Sequence, residues 1–124
     1  MPKSFVVKGI WGVGEPSSGP LLCLKEKGKA DIFDLKNEFR GKIIALADGF
    51  SCGFWYKAIS LGVKGVVAGS PPPKELIKEA EKGELALVVL DQKKVKKIWE
   101  KLKLNQDKEV LVDPDKNEIA FTPN

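Results

Sequence analysis

Residues 41–69 read GKIIALADGFSCGFWYKAISLGVKGVVAG, and this stretch carries the clearest structural pattern in the chain. Ile43 to Ala47 is an unbroken apolar run, as expected of a strand buried on both faces. Phe54, Ala58 and Leu61 then fall at i, i+4 and i+7, which predicts a helix stopping at a Gly62 C-cap. KGVVAG (64–69) is a second buried strand, and ELALVVL (84–90) is a third. Between them, Pro73 is placed to start a helix that ends near Gly83. Asp91 can cap a last helix whose Val95, Ile98, Trp99 and Leu102 form one apolar stripe.

The middle of the chain is therefore predicted as β-α-β-α-β-α, with parallel strands and right-handed crossovers. Short strands flank it. SFVVKGIWGVG (4–14) reads as a first strand, EPSSGP (15–20) as a turn and LLCLKE (21–26) as a second strand. EVLVDPDKNEIAF (109–121) has the outline of a closing hairpin. The expectation is one α/β domain over residues 1–124, built on a mixed sheet.

Composition narrows the chemistry. At 43% hydrophobic and 31% charged residues, 124 residues suffice for a globular fold with its own core. No run approaches the roughly 20 apolar residues of a membrane helix, and MPKSFVVKGIWG has no stretch of signal-peptide length. Cys23 and Cys52 form neither a C-x-x-C pair nor a disulfide framework, so a reducing cytoplasm is the expected setting. Histidine is absent, which removes the commonest general base and the commonest metal ligand. No metal or cofactor is expected. Residues 91–108 hold seven lysines against three acids, so that segment alone accounts for the chain's net charge of +4. A lysine-heavy surface with Arg40 as the sole arginine also suits a heat-adapted protein.

Gly49-Phe50-Ser51-Cys52-Gly53 matches G-x-S-x-G, the nucleophile elbow of serine hydrolases, between a strand and a helix as an elbow should be. A serine hydroxyl needs a base within hydrogen-bond reach, and in that arrangement the base is histidine. Without one, only a dyad with Lys57 or Lys64 remains for Ser51. The plain reading is a turn in which Gly49 lets the chain leave the strand and Ser51 caps the helix. Cys52, near a helix N-terminus, is either a thiol of lowered pKa or a small buried apolar residue. Gly12 and Gly14 lack the third glycine of a dinucleotide fingerprint.

The 41–69 stretch resembles the core of protease-associated domains. It matches through Gly41-Lys42-Ile43, then Cys52, Phe54, Lys57 and Ala58, then Gly62-Val63 and Gly65-Val66-Val67. The likeness runs to about residue 103 and implies the swivelling β/β/α architecture shared with phosphohistidine domains, whose closing hairpin 109–121 resembles. Lacking histidine, the chain cannot inherit that phosphotransfer. VVKGIWGVG, GKII and GVKGVVAGS also resemble a segment of uncharacterised prokaryotic proteins that carry a barrel-sandwich-hybrid module. Protease-associated domains are non-catalytic interaction or lid modules, so the resemblance implies binding rather than turnover.

Ligands of open α/β sheets bind beyond the carboxyl ends of the parallel strands. Here those ends offer Asp48, Gly49, Ser51, Gly69, Ser70 and Asp91 as candidate ligand-binding residues, or as plain turn and cap residues. The expected function is therefore binding of a protein partner or a small ligand. An alternative is electrostatic binding of nucleic acid or an acidic partner through Lys93, Lys94, Lys97 and Lys101. A second alternative is a small hydrolase using Ser51 or Cys52. Trp99 is assigned to the core, and one of Trp55 and Tyr56 to an exposed contact.

Overall fold

The apolar runs have no polar face to turn to water, so each demands cover on both sides. In the computed structural model, which describes residues 5–121, they become β3 (Ile43–Leu46), β4 (Gly65–Ala68) and β5 (Ala86–Leu90), with every residue buried. They pair as parallel neighbours in the order β3-β4-β5. One face packs under α1 (Cys52–Leu61) and α2 (Ile77–Ala80). Below α1, Phe50 stacks on Trp55 at a centroid distance of 5.7 Å and an angle of 17°. Trp55 is buried and its neighbour Tyr56 is half exposed. The other face of the strands looks into a second apolar cluster.

That second cluster is the interior of a closed barrel. Among the described residues, seven strands follow the order β1-β5-β4-β3-β2-β6-β7, and β7 returns to β1. The other four strands are β1 (Phe5–Val13), β2 (Ser17–Lys25), β6 (Glu109–Asp113) and β7 (Glu118–Phe121). Val7, Leu21, Val110, Val112, Ile119 and Phe121 point inward with Ile43, Ala45, Val67 and Val88. The last helix, α3 (Val95–Leu104), adds Ile98, Trp99 and Leu102 to this interior and turns its lysines to solvent.

Closure depends on β1 and β2. Phe5–Lys8 of β1 pair with β7, and after a bulge between Gly9 and Trp11 the same strand pairs with β5. Ser17–Pro20 of β2 pair with β6, whereas Leu21–Lys25 pair in parallel with β3. Each strand thus serves two sheets, and in β1 the bulge falls where the strand passes from one partner to the other. A Lys8–Glu118 ion pair at 3.0 Å and the Gly9 N–H to Asn117 carbonyl bond at 2.6 Å mark the β1–β7 seam.

The expected α/β domain with an open mixed sheet of swivelling type is accordingly corrected. The molecule is a mostly β, closed seven-stranded barrel with three short helices. The error has a physical source at Ser17-Ser18-Gly19-Pro20, read as a turn because each residue type favours turns. Pairing with Val112, Leu111, Val110 and Glu109 overrides that local preference and makes them the first half of β2. The helix expected from Pro73 to Gly83 is also shorter: a 3-10 turn at Lys74–Leu76 leads into the four residues of α2.

Gly69 sets the spacing of the strand ends. A Cβ there would overlap the Ala47 carbonyl oxygen. Gly69→Ala is therefore expected to lower stability by about 1–3 kcal/mol, as overpacking does. Urea denaturation checks this, and an unchanged midpoint would show that the two loops are not in close contact.

Candidate functional site

The parallel strands β2, β3, β4 and β5 deliver their carboxyl ends to one end of the barrel. The turns that follow hold Glu26 and Lys27, then Asp48, then Gly69 and Ser70, then Gln92 and Lys93. α3 passes beside them, and together they enclose a cleft of about 530 Å³. A second cavity of about 220 Å³, between Lys29, Phe50 and Pro73, shares Asp48 and Ser70 as its near wall.

The partition between these cavities is a hydrogen-bonded chain. Gln92 Nε2 donates to Ser70 Oγ at 3.1 Å, and Ser70 Oγ donates to Asp48 Oδ1 at 3.1 Å. The Gly49 N–H donates to the same Oδ1 at 2.9 Å. Asp48 is acceptor-only when ionised, so it takes the single serine proton, and Gln92 must then turn its amide N–H toward the serine oxygen. Three strand ends are tied together by side chains in this way.

On the α3 side, the Trp99 indole N–H donates to Glu26 Oε1 at 3.1 Å. Lys103 reaches the same Glu26 oxygen at 3.6 Å and Glu100 at 3.4 Å. These two carboxylates, Glu100 foremost, raise the pKa of Lys103 and hold it protonated. Away from the cleft, the Asp31 backbone N–H and Lys25 hold Asp34 below the usual carboxylate range.

The sequence-predicted residues separate into two groups. Asp48, Gly69 and Ser70 line the larger cleft, and Gly49 lines the smaller cavity. Ser51 and Asp91 line neither: Ser51 caps α1, whereas Asp91 does not cap α3 as expected, because the turn it closes puts Lys94 at the N-cap without a side-chain bond. The Phe54 N–H donates to Ser51 Oγ at 3.2 Å, and the Lys93 N–H donates to Asp91 Oδ1 at 3.0 Å. Lys57 points elsewhere, its Nζ donating to the Ile32 carbonyl at 3.0 Å, and Lys64 precedes β4 at the opposite end of the sheet. The Ser–Lys dyad is thereby not assembled. Cys52 Sγ lies 4.0 Å from Glu75 Oε1. Of the lysines proposed for polyanion binding, Lys93 lines the cleft, while Lys94, Lys97 and Lys101 lie exposed outside it.

Glu26 and Trp99 were not expected at the site, and Gln92, at the end of the third strand, was expected there without a role of its own. Trp99 follows the apolar period of its helix and is nearly fully buried, which hides its polar edge. The available signal was its indole N–H, since a buried tryptophan usually finds an acceptor. No cluster of three or more His, Cys, Asp or Glu side chains suited to a metal occurs among the described residues. Among them, too, no helix is long and apolar enough to cross a membrane.

No protein-family model and no curated protein sequence matches the chain. Its fold is similar to the solution NMR structure of a UPF0107 protein, with a TM-score of 0.67. The likeness covers 97% of this chain and 99% of that one at 14% identity, and so speaks to fold alone. It replaces the resemblance to protease-associated and phosphohistidine-type swivelling domains, which the closed barrel contradicts.

Cys23, on β2, is pushed up to about 11 by burial, with Asp107 adding to the rise and Lys103 opposing it. Its thiolate is therefore scarce at neutral pH, which argues against a nucleophilic role. Iodoacetamide should leave Cys23 unmodified in the folded protein near neutral pH, with modification rising only as the solution approaches the pKa of about 11. Mass spectrometry of tryptic peptides reads this directly, and rapid labelling of Cys23 at neutral pH in the native state would contradict it.

Proposed function

We propose that this domain binds a small polar molecule in the cleft at the carboxyl ends of β2–β5, without transforming it. The observation that carries the reading is the Gln92–Ser70–Asp48 chain, which draws polar groups from three strand ends onto one wall of a 530 Å³ cleft. Clefts of a few hundred Å³ with a few convergent polar groups are the usual form of small-molecule sites. Capping of α1 by Ser51, together with the absence of histidine from the chain, supports binding over hydrolysis.

A second reading is favoured by one observation. Lys93, Lys94, Lys97 and Lys101 form no ion pair among the described residues, so their charge is free for a polyanion.

A thermal-shift screen of polar metabolites, with single-stranded DNA included, tests both. A cleft ligand raises the melting temperature, because a molecule that binds only the folded state stabilises it. Gln92→Ala or Asp48→Asn should then weaken binding by about tenfold, the effect of one lost hydrogen bond. Ser51→Ala should lower stability by about 1 kcal/mol through the lost cap and leave ligand affinity unchanged. Stabilisation by DNA alone, lost with added salt and in Lys94→Glu/Lys97→Glu, would move the function to the helix face. Retained affinity in both cleft variants would refute the cleft.

A further inference from the structure

The charges around the cleft are unequally committed. Glu26 accepts from Trp99 and pairs with Lys103, and Glu100 pairs with Lys103 as well. Asp48 Oδ1 already accepts from Ser70 and Gly49. Lys27, Lys93 and Lys96 also line the cleft, and none of them has an ion pair among the described residues. All three are exposed, so each ammonium is free to swing toward an occupant. Asp48 has no ion pair among the described residues either, so three unpaired cations face this space against one unpaired carboxylate.

The hydrogen-bonding capacity left on the partition has the opposite character. Ser70 is used on both sides, donating to Asp48 and accepting from Gln92. What remains is acceptors: Asp48 Oδ2 and Gln92 Oε1 carry no hydrogen bond among the described residues. An ionised carboxylate oxygen and an amide oxygen suit a hydroxyl or amino donor, not another acceptor. The cleft thus presents free cations from two turns and one helix, and free acceptors along its partition.

Resting on the cleft reading above, we infer that the ligand carries an anionic group, phosphate or carboxylate, for Lys27, Lys93 and Lys96, and hydroxyl or amino donors for Asp48 and Gln92. Lysine suits the first task as a mobile point charge, and the three need no fixed fork geometry. The committed glutamates serve a different end. Glu26 fixes the Trp99 indole at the cleft wall, and Lys103 offsets the negative charge that would otherwise repel an anion.

The test is an NMR titration with four probes: inorganic phosphate, glycerol 3-phosphate, glycerate and glycerol. Glycerol 3-phosphate or glycerate should shift the amides of Gly49, Ser70 and Lys93 and the Trp99 indole signal, saturating at millimolar concentration. Whichever of the two binds more tightly identifies the anionic group. Glycerol, without the anion, and phosphate, without the carbon-borne hydroxyls, should each bind at least about fivefold more weakly. Lys93→Glu/Lys96→Glu, which alters only exposed side chains, should weaken the better probe by about tenfold or more, with folding checked by the melting temperature.

Glycerol binding as well as its charged relatives, or affinity untouched by the charge reversal, would overturn the anion assignment and leave the cleft standing. The anion assignment also falls if none of the four probes moves these signals but a neutral or cationic compound from the thermal screen does. Silence of the cleft signals toward every compound would overturn the cleft as well.

Discussion

Two nine-residue strands hold this fold together by each belonging to two sheets. β1 spends its first half on β7 and its second on β5, and β2 divides between β6 and β3. A sheet of seven strands with free edges would leave rows of unpaired N–H and C=O groups, and closure removes them. It also creates the interior into which the inner faces of β3, β4 and β5 can be buried, while α1 and α2 cover their outer faces. Without that interior, strands with no polar residue would have one face against water. The apolar runs and the doubled strands therefore require one another.

The same closure builds the cleft. Because β2 turns from β6 to pair in parallel with β3, four strands point the same way and release their chains at one end. Polar residues gather there because a turn leaving a buried strand is the first place where the chain meets solvent. Asp48, Ser70 and Gln92 come from three separate turns, and the strand registers bring them within hydrogen-bonding distance. Gly69 permits the approach of β4's exit to that of β3, since any side chain would strike the Ala47 carbonyl. α3 is held against the interior by Ile98, Trp99 and Leu102, so one helix both completes the core and walls the site.

Much of the local structure was legible in the residues, because its causes are local. The buried strands follow from unbroken apolar runs, and the start and end of α1 follow from Ser51 and Gly62, the latter at a φ of 87°. The serine of the hydrolase-like pentapeptide was readable as a cap from the absence of histidine. The overall architecture was not readable, because its cause is pairing between residues far apart. Ser17 to Pro20 look like a turn in isolation and become strand only beside Glu109 to Val112. The resemblance to protease-associated domains rested on strand–helix–strand spacing, a pattern that many sheets share and that does not report whether the sheet closes. At the site, Asp48 and Ser70 could be proposed from strand ends alone. The bond of Gln92 to Ser70 could not, since it joins two separate turns, and Trp99 could not, since it keeps the period of a core residue.

Backbone NOEs measure most directly whether β1 and β2 each bridge two sheets. A closed barrel predicts cross-strand contacts between Val6 and Ala120 and between Ser18 and Leu111, with slowed amide exchange at Gly19, which lies in the hydrogen-bonded phase of the β2–β6 ladder. An open sheet would instead show neither set of contacts, with the Gly19 amide exchanging as fast as those of a solvated turn, and that result would contradict the closure on which the cleft depends.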